Sequence, residues 1–275
     1  MLRFALVLTL AGTLVASAGA ASPVRSETAT SGHVKATVTY RQLDATHFAM
    51  QLTVVRNKNS VYNKPVPTSF AHTGPSQPLG LVGGASTIEL GDLDGDGEPE
   101  ILVNLYTGGA HCCNWTWAYK WQPKLRTYSR TAHVWGDPLY RLADLGHTNS
   151  LELVSADDRF AYAFSDYADS VLPVQVWTLL KGRFVDSTHS YANVVTADLA
   201  TNWRRYQEAA PGTPVRGILA AWVADDCLLG DCQAAYARVR SLSSRLGDSA
   251  DVQNGSVAAY LTKLKSSLVA WGYWQ

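Results

Sequence analysis

Gly91-Asp92-Leu93-Asp94-Gly95-Asp96-Gly97-Glu98-Pro99-Glu100 runs without a break into Ile101-Leu102-Val103-Asn104-Leu105. Aspartates at alternate positions of a Gly-rich turn can fold inward and offer oxygens to one cation, and hard donors at this density suit Ca2+. Gly95 and Gly97 supply the backbone freedom that wrapping an ion requires. An EF-hand counted from Asp92 would place its bidentate Glu where Val103 stands, so the loop is of another kind. The expected ligands are Asp92, Asp94, Asp96 and Glu100 through their carboxylates, Glu98 through its backbone carbonyl, and water. Acids crowded this closely repel one another unless a cation is present, so metal occupancy is expected to be coupled to local folding. A solvated acidic turn is the alternative reading. The apolar run behind the loop reads as a strand.

The run from Asp92 to Val103 resembles the calcium loop of FG-GAP or VCBS-type repeats, known from the propeller of integrin α subunits and from exported bacterial proteins. The resemblance implies blade-like β-meanders with Ca2+ held between two strands of a blade. Self-comparison adds a second copy: Leu142-Ala143-Asp144-Leu145-Gly146-His147-Thr148-Asn149-Ser150-Leu151-Glu152-Leu153-Val154 aligns with the segment beginning at Leu90. Asp144 and Glu152 match Asp92 and Glu100, whereas Gly146 and Thr148 replace Asp94 and Asp96, so the second loop is expected to bind no metal. Two such units are too few to close a ring, which implies an incomplete propeller.

Outward from these loops the chain has 275 residues, with 23 basic and 23 acidic side chains. That balance argues against nucleic acid as a partner, since phosphate neutralisation needs a basic surface. Met1-Leu2-Arg3, an apolar stretch from Phe4 to Val15 and the small residues Ala16 to Ala21 have the three parts of a signal peptide, with cleavage expected after Ala20. The apolar stretch is too short to span a bilayer, and no longer one follows. Export makes disulfides the expected state of Cys112, Cys113, Cys227 and Cys232. Local pairs and crossed pairs both remain open, with local pairing slightly favoured. A metal or catalytic role for His111-Cys112-Cys113 is a further alternative.

Period-two alternation at Val34, Ala36, Val38 and Tyr40, and again at Phe48, Met50, Leu52 and Val54, predicts a hairpin. Prolines at 65, 67, 75 and 78 predict a loop from Arg56 to Gly84. Residues 85–195 read as strands, including Phe160-Ala161-Tyr162-Ala163-Phe164. Helical spacing then begins near Thr196 with Leu199, Trp203 and Tyr206. Thr213 is expected to cap a second helix with Pro214 at its first position. Val257, Tyr260, Leu261, Leu264, Leu268 and Trp271 form a final apolar stripe. The expected organisation is a signal peptide over 1–21, a hairpin and Pro-rich loop over 22–84, a β domain over 85–195, and a helical region over 196–275. The fold class is therefore mixed, β first and α after.

Trp115, Trp117, Tyr119 and Trp121 fall on one face of a strand, which reads as core or as a platform for sugar rings. The chain lacks a nucleophile elbow, a phosphate-binding loop and a zincin helix. The functional expectation is a secreted, calcium-binding, non-enzymatic protein acting in binding or adhesion at the cell envelope, with an envelope glycan or protein as partner. An exported hydrolase with its site near Cys112/Cys113 or Asp157/Asp158 is the alternative, and a purely structural envelope protein is the third.

Overall fold

Side chains that alternate in the sequence also alternate in burial. Val34, Ala36, Val38, Leu52 and Val54 are inaccessible to solvent, and the residues between them are partly or fully exposed. They lie on β2 (Val34–Gln42) and β3 (Phe48–Arg56), paired antiparallel with Val38 opposite Leu52 and Tyr40 opposite Met50. The turn is fixed by Asp44, whose Oδ1 accepts the amides of Thr46 and His47 at 2.9 Å each. The computed structural model describes residues 22–82, 85–247 and 255–274. The signal-peptide reading of 1–21 and the Gly83-Gly84 pair fall outside the described residues.

Two further strands flank this hairpin. β1 (Arg25–Ser31) pairs with β2, and β4 (Asn59–Pro65) pairs with β3, giving a sheet in the order β1-β2-β3-β4. The loop expected from Arg56 onward is thus a strand in its first part. The chain reverses through Asn57 and Lys58, both at positive φ (47° and 66°), a two-residue turn with no glycine to signal it. Pro65 ends an edge strand, where a missing N–H is tolerated.

The second sheet contains β5 (Gln77–Pro78), β6 (Ile88–Gly91), β7 (Glu100–Gly109), β8 (Cys112–Gln122) and β9 (Thr127–Gly136). β7 pairs with β5, β6 and β8, and β8 pairs with β9. One face, carrying Ile101, Val103, Trp115, Trp117 and Tyr119, packs on the first sheet. The other, carrying Leu102, Ala118 and Trp135, packs with Leu93, Leu153 and Leu179. A strand covered on both sides has no polar face to maintain, which accounts for the unbroken apolar run at Ile101-Leu102-Val103. The Trp115, Trp117 and Tyr119 rings are therefore core, with Trp117 Nε1 donating to the Pro67 carbonyl at 2.9 Å. They form no platform for sugars.

The third sheet runs β10 (Arg141–Ala143), β11 (Glu152–Ala156), β12 (Val174–Leu180), β13 (Arg183–Asp186) in sequence order. Among the described residues the strands form three separate antiparallel sheets, and no propeller is seen. Five helices follow among the described residues: α1 (Ala192–Glu208), α2 (Arg216–Leu228), α3 (Cys232–Ser241), α4 (Ser243–Gly247) and α5 (Val257–Ala270). The architecture is thus β-rich and then helical. Tyr260, Leu264 and Leu268 of α5 are fully buried with Leu219 and Val223 of α2.

Two local expectations need correction. Phe160 ends a 3-10 turn (Asp158–Phe160) and the chain to Phe164 continues as irregular turns, because Phe160 and Phe164 fill the helical core while Tyr162 points out, 52% exposed. Thr213 caps nothing, since α2 begins at Arg216 after Val215 and no side chain caps it. Cys227 is paired with Cys232 and Cys112 with Cys113, the local arrangement. The first joins the end of α2 to the start of α3. No helix among the described residues is long and apolar enough to cross a membrane.

Candidate metal centre

β6 and β7 pair Gly91 with Glu100, so the chain between them must turn back on itself within the acidic loop. Asp92 organises that turn: its Oδ1 accepts the Gly95 amide at 2.7 Å and its Oδ2 the Gly97 amide at 2.8 Å. Both glycines have positive φ, 75° and 83°, where a side chain would be strained. Glu100 opens β7 and is 1% exposed; its Oε2 accepts the Leu93 amide at 2.9 Å. This brings oxygens of Asp92, Asp94 and Glu100 within 4.8 Å of one another. Asp94 Oδ1 is buried and has no hydrogen-bonding partner.

The other two expected ligands, Asp96 and the Glu98 carbonyl, stand outside that group of three carboxylates. Asp96 is largely exposed, its Oδ1 accepting the Glu98 amide at 2.9 Å. The Glu98 side chain leaves the loop for the Arg56 guanidinium, 2.5 Å away, which also donates to Tyr128 Oη at 3.2 Å and lies over the Trp121 ring.

Lys120 of β8 was invisible to the sequence argument. Its Nζ lies 2.5 Å from Asp94 Oδ2, 2.5 Å from Asp96 Oδ2 and 3.3 Å from Glu100 Oε1. Burial alone would lower the lysine pKa, but the hydrogen bonds to Asp94 and Asp96 and the charge of Glu100 raise it overall. Burial pushes Glu100 up to about 7, assisted by the Asp94 charge and opposed by the Leu93 amide and Lys120. Two cations from distant strands, Lys120 and Arg56, thus face four of the loop's five acids. The donor set is all oxygen, and an orphaned buried carboxylate oxygen sits inside it. Such a set fits a hard cation of the Ca2+ type and gives no nitrogen or sulfur ligand for zinc.

The second loop repeats the backbone plan. Asp144 accepts the amides of Thr148 at 3.0 Å and Asn149 at 3.3 Å, and Glu152 Oε2 accepts the Leu145 amide at 2.8 Å. His147 and Asn149 hold positive φ, 52° and 65°, at the positions of Gly95 and Gly97. The loops touch: the Leu151 amide donates to the Asp92 carbonyl at 2.7 Å, and a Cβ on Gly91 would meet the Leu151 side chain at 2.7 Å.

The two alternative positions, Cys112/Cys113 and Asp157/Asp158, come together. Cys113, Asp157 and Asp158 line one cavity of about 480 Å³. Asp157 is 2% exposed and bonded to Arg159 and to Tyr273 Oη.

Comparison with known proteins places this geometry in context. A family model described as the sll0997 C-terminal domain matches residues 195–272, the helical part of the chain. A "Probable thylakoid lumen protein sll0997" of Synechocystis sp. (strain ATCC 27184 / PCC 6803 / Kazusa) is 29% identical over 230 residues, covering 79% of this chain and 63% of the relative. An "Uncharacterized protein y4bJ" of Sinorhizobium fredii (strain NBRC 101917 / NGR234) is 28% identical over 150 residues, covering 50% of this chain and 22% of the relative. The chain thus spans less than two thirds of either curated relative. No solved structure matches. These matches overturn the FG-GAP/VCBS resemblance, because the similarity that extends along the chain leads to sll0997 instead. Alternating carboxylates in a turn are a solution any sequence can reach when it crowds oxygens together, so a short loop carries little ancestry.

Proposed function

We propose that the chain is an exported, non-enzymatic binding protein of the cell envelope whose β frame is held by Ca2+ in the loop from Asp92 to Glu100. Asp92, Asp94 and Glu100 would supply the inner oxygens, and Asp96 and the Glu98 carbonyl the outer ones. Bound calcium would supply charge neutralisation and a fixed junction between β6 and β7. The observation that carries the reading is the buried, unpartnered Asp94 Oδ1 beside two further carboxylates. The relative's description as a thylakoid lumen protein is compatible with export. Calorimetric Ca2+ titration of the wild type against Asp94→Ala/Asp96→Ala tests it. Binding lost in the variant supports the assignment, and equal affinity in both sinks it.

Lys120 favours a second reading, in which the loop carries its own cation and needs no metal. Lys120→Met separates the two. If calcium is the resident cation, the variant binds it at least as tightly as the wild type. If the lysine is the lock, the variant melts earlier whether or not calcium is added.

A further inference from the structure

The cavity lined by Cys113 and Asp157 lies where β8 and β9 of the second sheet, β12 and β13 of the third, and Trp271 after α5 converge. At about 480 Å³ it falls within the range of small-ligand sites, ~300–1,000 Å³. Its walls combine aromatic faces with hydrogen-bonding groups of both kinds. The half-buried Trp177 indole lies 4.0 Å from the His133 ring, which in turn lies 4.3 Å from Trp135. Burial lowers His133 to about 4, against the raising effect of Asp186, so it lines the cavity as a neutral imidazole with one donor and one acceptor nitrogen.

The carboxylates are fixed in place. Asp158 Oδ1 accepts the Asp137 amide at 3.0 Å, and Asp186 Oδ1 accepts the Thr188 amide at 3.0 Å. Gly136 holds positive φ, and a Cβ there would lie 2.1 Å from the Asp158 carboxyl, so only glycine admits that carboxylate. Asp157 clamps Arg159 through Nε at 2.8 Å, while Arg159 Nη1 donates to the Trp271 carbonyl at 3.2 Å. Beyond that wall, the exposed His111 ring lies 3.8 Å from Tyr167, tilted by 40°, and Tyr162 lies 5.2 Å from Tyr167. The Tyr167 hydroxyl donates to Asp137, so this aromatic rim is tied to the wall that carries Asp158.

Resting on the reading of the chain as a binding protein, we propose that this cavity is a carbohydrate site: a hexose-type ring lies against the Trp177 indole, with hydroxyls shared among Asp158, Asp186, Arg159 and His133. Mixed donors and acceptors around an indole face suit a neutral polyol, each of whose hydroxyls both gives and takes a hydrogen bond. A small organic cation fits less well. The Arg159 guanidinium already lies over the Trp271 ring of the cavity wall, at 5.5 Å, and occupies a cation's place there. The rim of His111, Tyr162 and Tyr167 extends the site toward a second sugar unit.

The test titrates the full chain with cellobiose, N,N′-diacetylchitobiose and tetramethylammonium chloride, followed by saturation-transfer NMR and tryptophan fluorescence. Saturable binding of either disaccharide, weakened about ten-fold in Trp177→Ala and about five-fold in Asp186→Asn, is the expected result. A normal melting curve confirms that each variant folds; if Trp177→Ala does not, Tyr162→Ala at the exposed rim replaces it, with about three-fold weakening expected. Absence of disaccharide binding, affinities unchanged in the variants, or displacement of the sugar by tetramethylammonium would each overturn the site. Mass spectrometry of the recovered sugar keeps the two proposals apart. Cleaved sugar refutes the non-enzymatic reading while supporting the site. Absent binding refutes the site and leaves the calcium titration unaffected, since Asp94 is not one of the cavity's walls.

Discussion

In the loop beginning at Asp92 the first carboxylate accepts the amides of Gly95 and Gly97; in the loop beginning at Asp144 it accepts those of Thr148 and Asn149. In both, a buried glutamate at the start of the following strand accepts the amide next to that aspartate, Leu93 in one and Leu145 in the other. The backbone plan therefore does not depend on Asp94 and Asp96, because the second loop keeps it with Gly146 and Thr148 in their places. What differs is the charge at the centre. Only the first loop has extra carboxylates, an orphaned oxygen and a lysine reaching in from β8. Carboxylate-to-amide bonds make the turn, and the additional aspartates concentrate negative charge at its centre.

The largest expected effect comes from the feature the second loop lacks. Lys120→Met removes the cation from three partners, and in chelator it should lower stability by about 3 kcal/mol, since it leaves half-buried carboxylates unpaired. Chemical denaturation with and without calcium measures this. Recovery in calcium sharpens the contrast between the loops, and a loss unaffected by calcium breaks the metal half of it.

Next is the exchange of the two loops' residues. Asp94→Gly/Asp96→Thr writes the second loop into the first and should abolish the calcium-dependent rise in melting temperature. That rise corresponds to about 2.7 kcal/mol at a hundred-fold excess of ligand over Kd. Differential scanning calorimetry of the variant with and without chelator checks it, and a surviving rise would place the ion elsewhere.

A smaller effect should be shared by both loops in chelator. Glu100→Gln and Glu152→Gln keep an acceptor for the Leu93 and Leu145 amides but lose its charge, so each should cost about 1 kcal/mol. A much larger loss at Glu152 than at Glu100 would show that the second loop has a role of its own. The smallest effect concerns backbone strain. His147→Gly relaxes a positive φ and should be neutral or stabilising by about 0.5 kcal/mol, whereas Gly95→Ala should destabilise by about 1 kcal/mol. Equilibrium unfolding of both variants compares the two loops at that position.

What was legible in the sequence depended on the distance over which each signal acts. The β2–β3 hairpin and the α5 stripe were visible because burial on one face imposes a period on neighbouring residues. β1 was missed because its seven residues, Arg-Ser-Glu-Thr-Ala-Thr-Ser, have almost no apolar side, and β2 recruits them by backbone pairing. β4 was missed because Asn57-Lys58 turns without glycine and the later prolines suggested a loop. Phe160 and Phe164 looked like strand residues, yet their partners are helices more than fifty residues later in the chain. In the acidic loop, Asp92, Asp94 and Glu100 are near neighbours in sequence and in space, whereas Lys120 and Arg56 lie 20 and 42 residues from Glu100 and Glu98.

By itself the sequence determined the order of β before α, the turn-forming glycines and the density of carboxylates in one loop, since all three follow from residues within a few positions of one another. The tertiary structure decided which cations answer those carboxylates, that the tryptophan face of β8 is core, and that Cys113, His133, Asp157 and Trp177 surround one cavity. Those outcomes depend on how sheets and helices stack. Stacking is set by the summed burial of many side chains far apart in the chain, which no local pattern encodes.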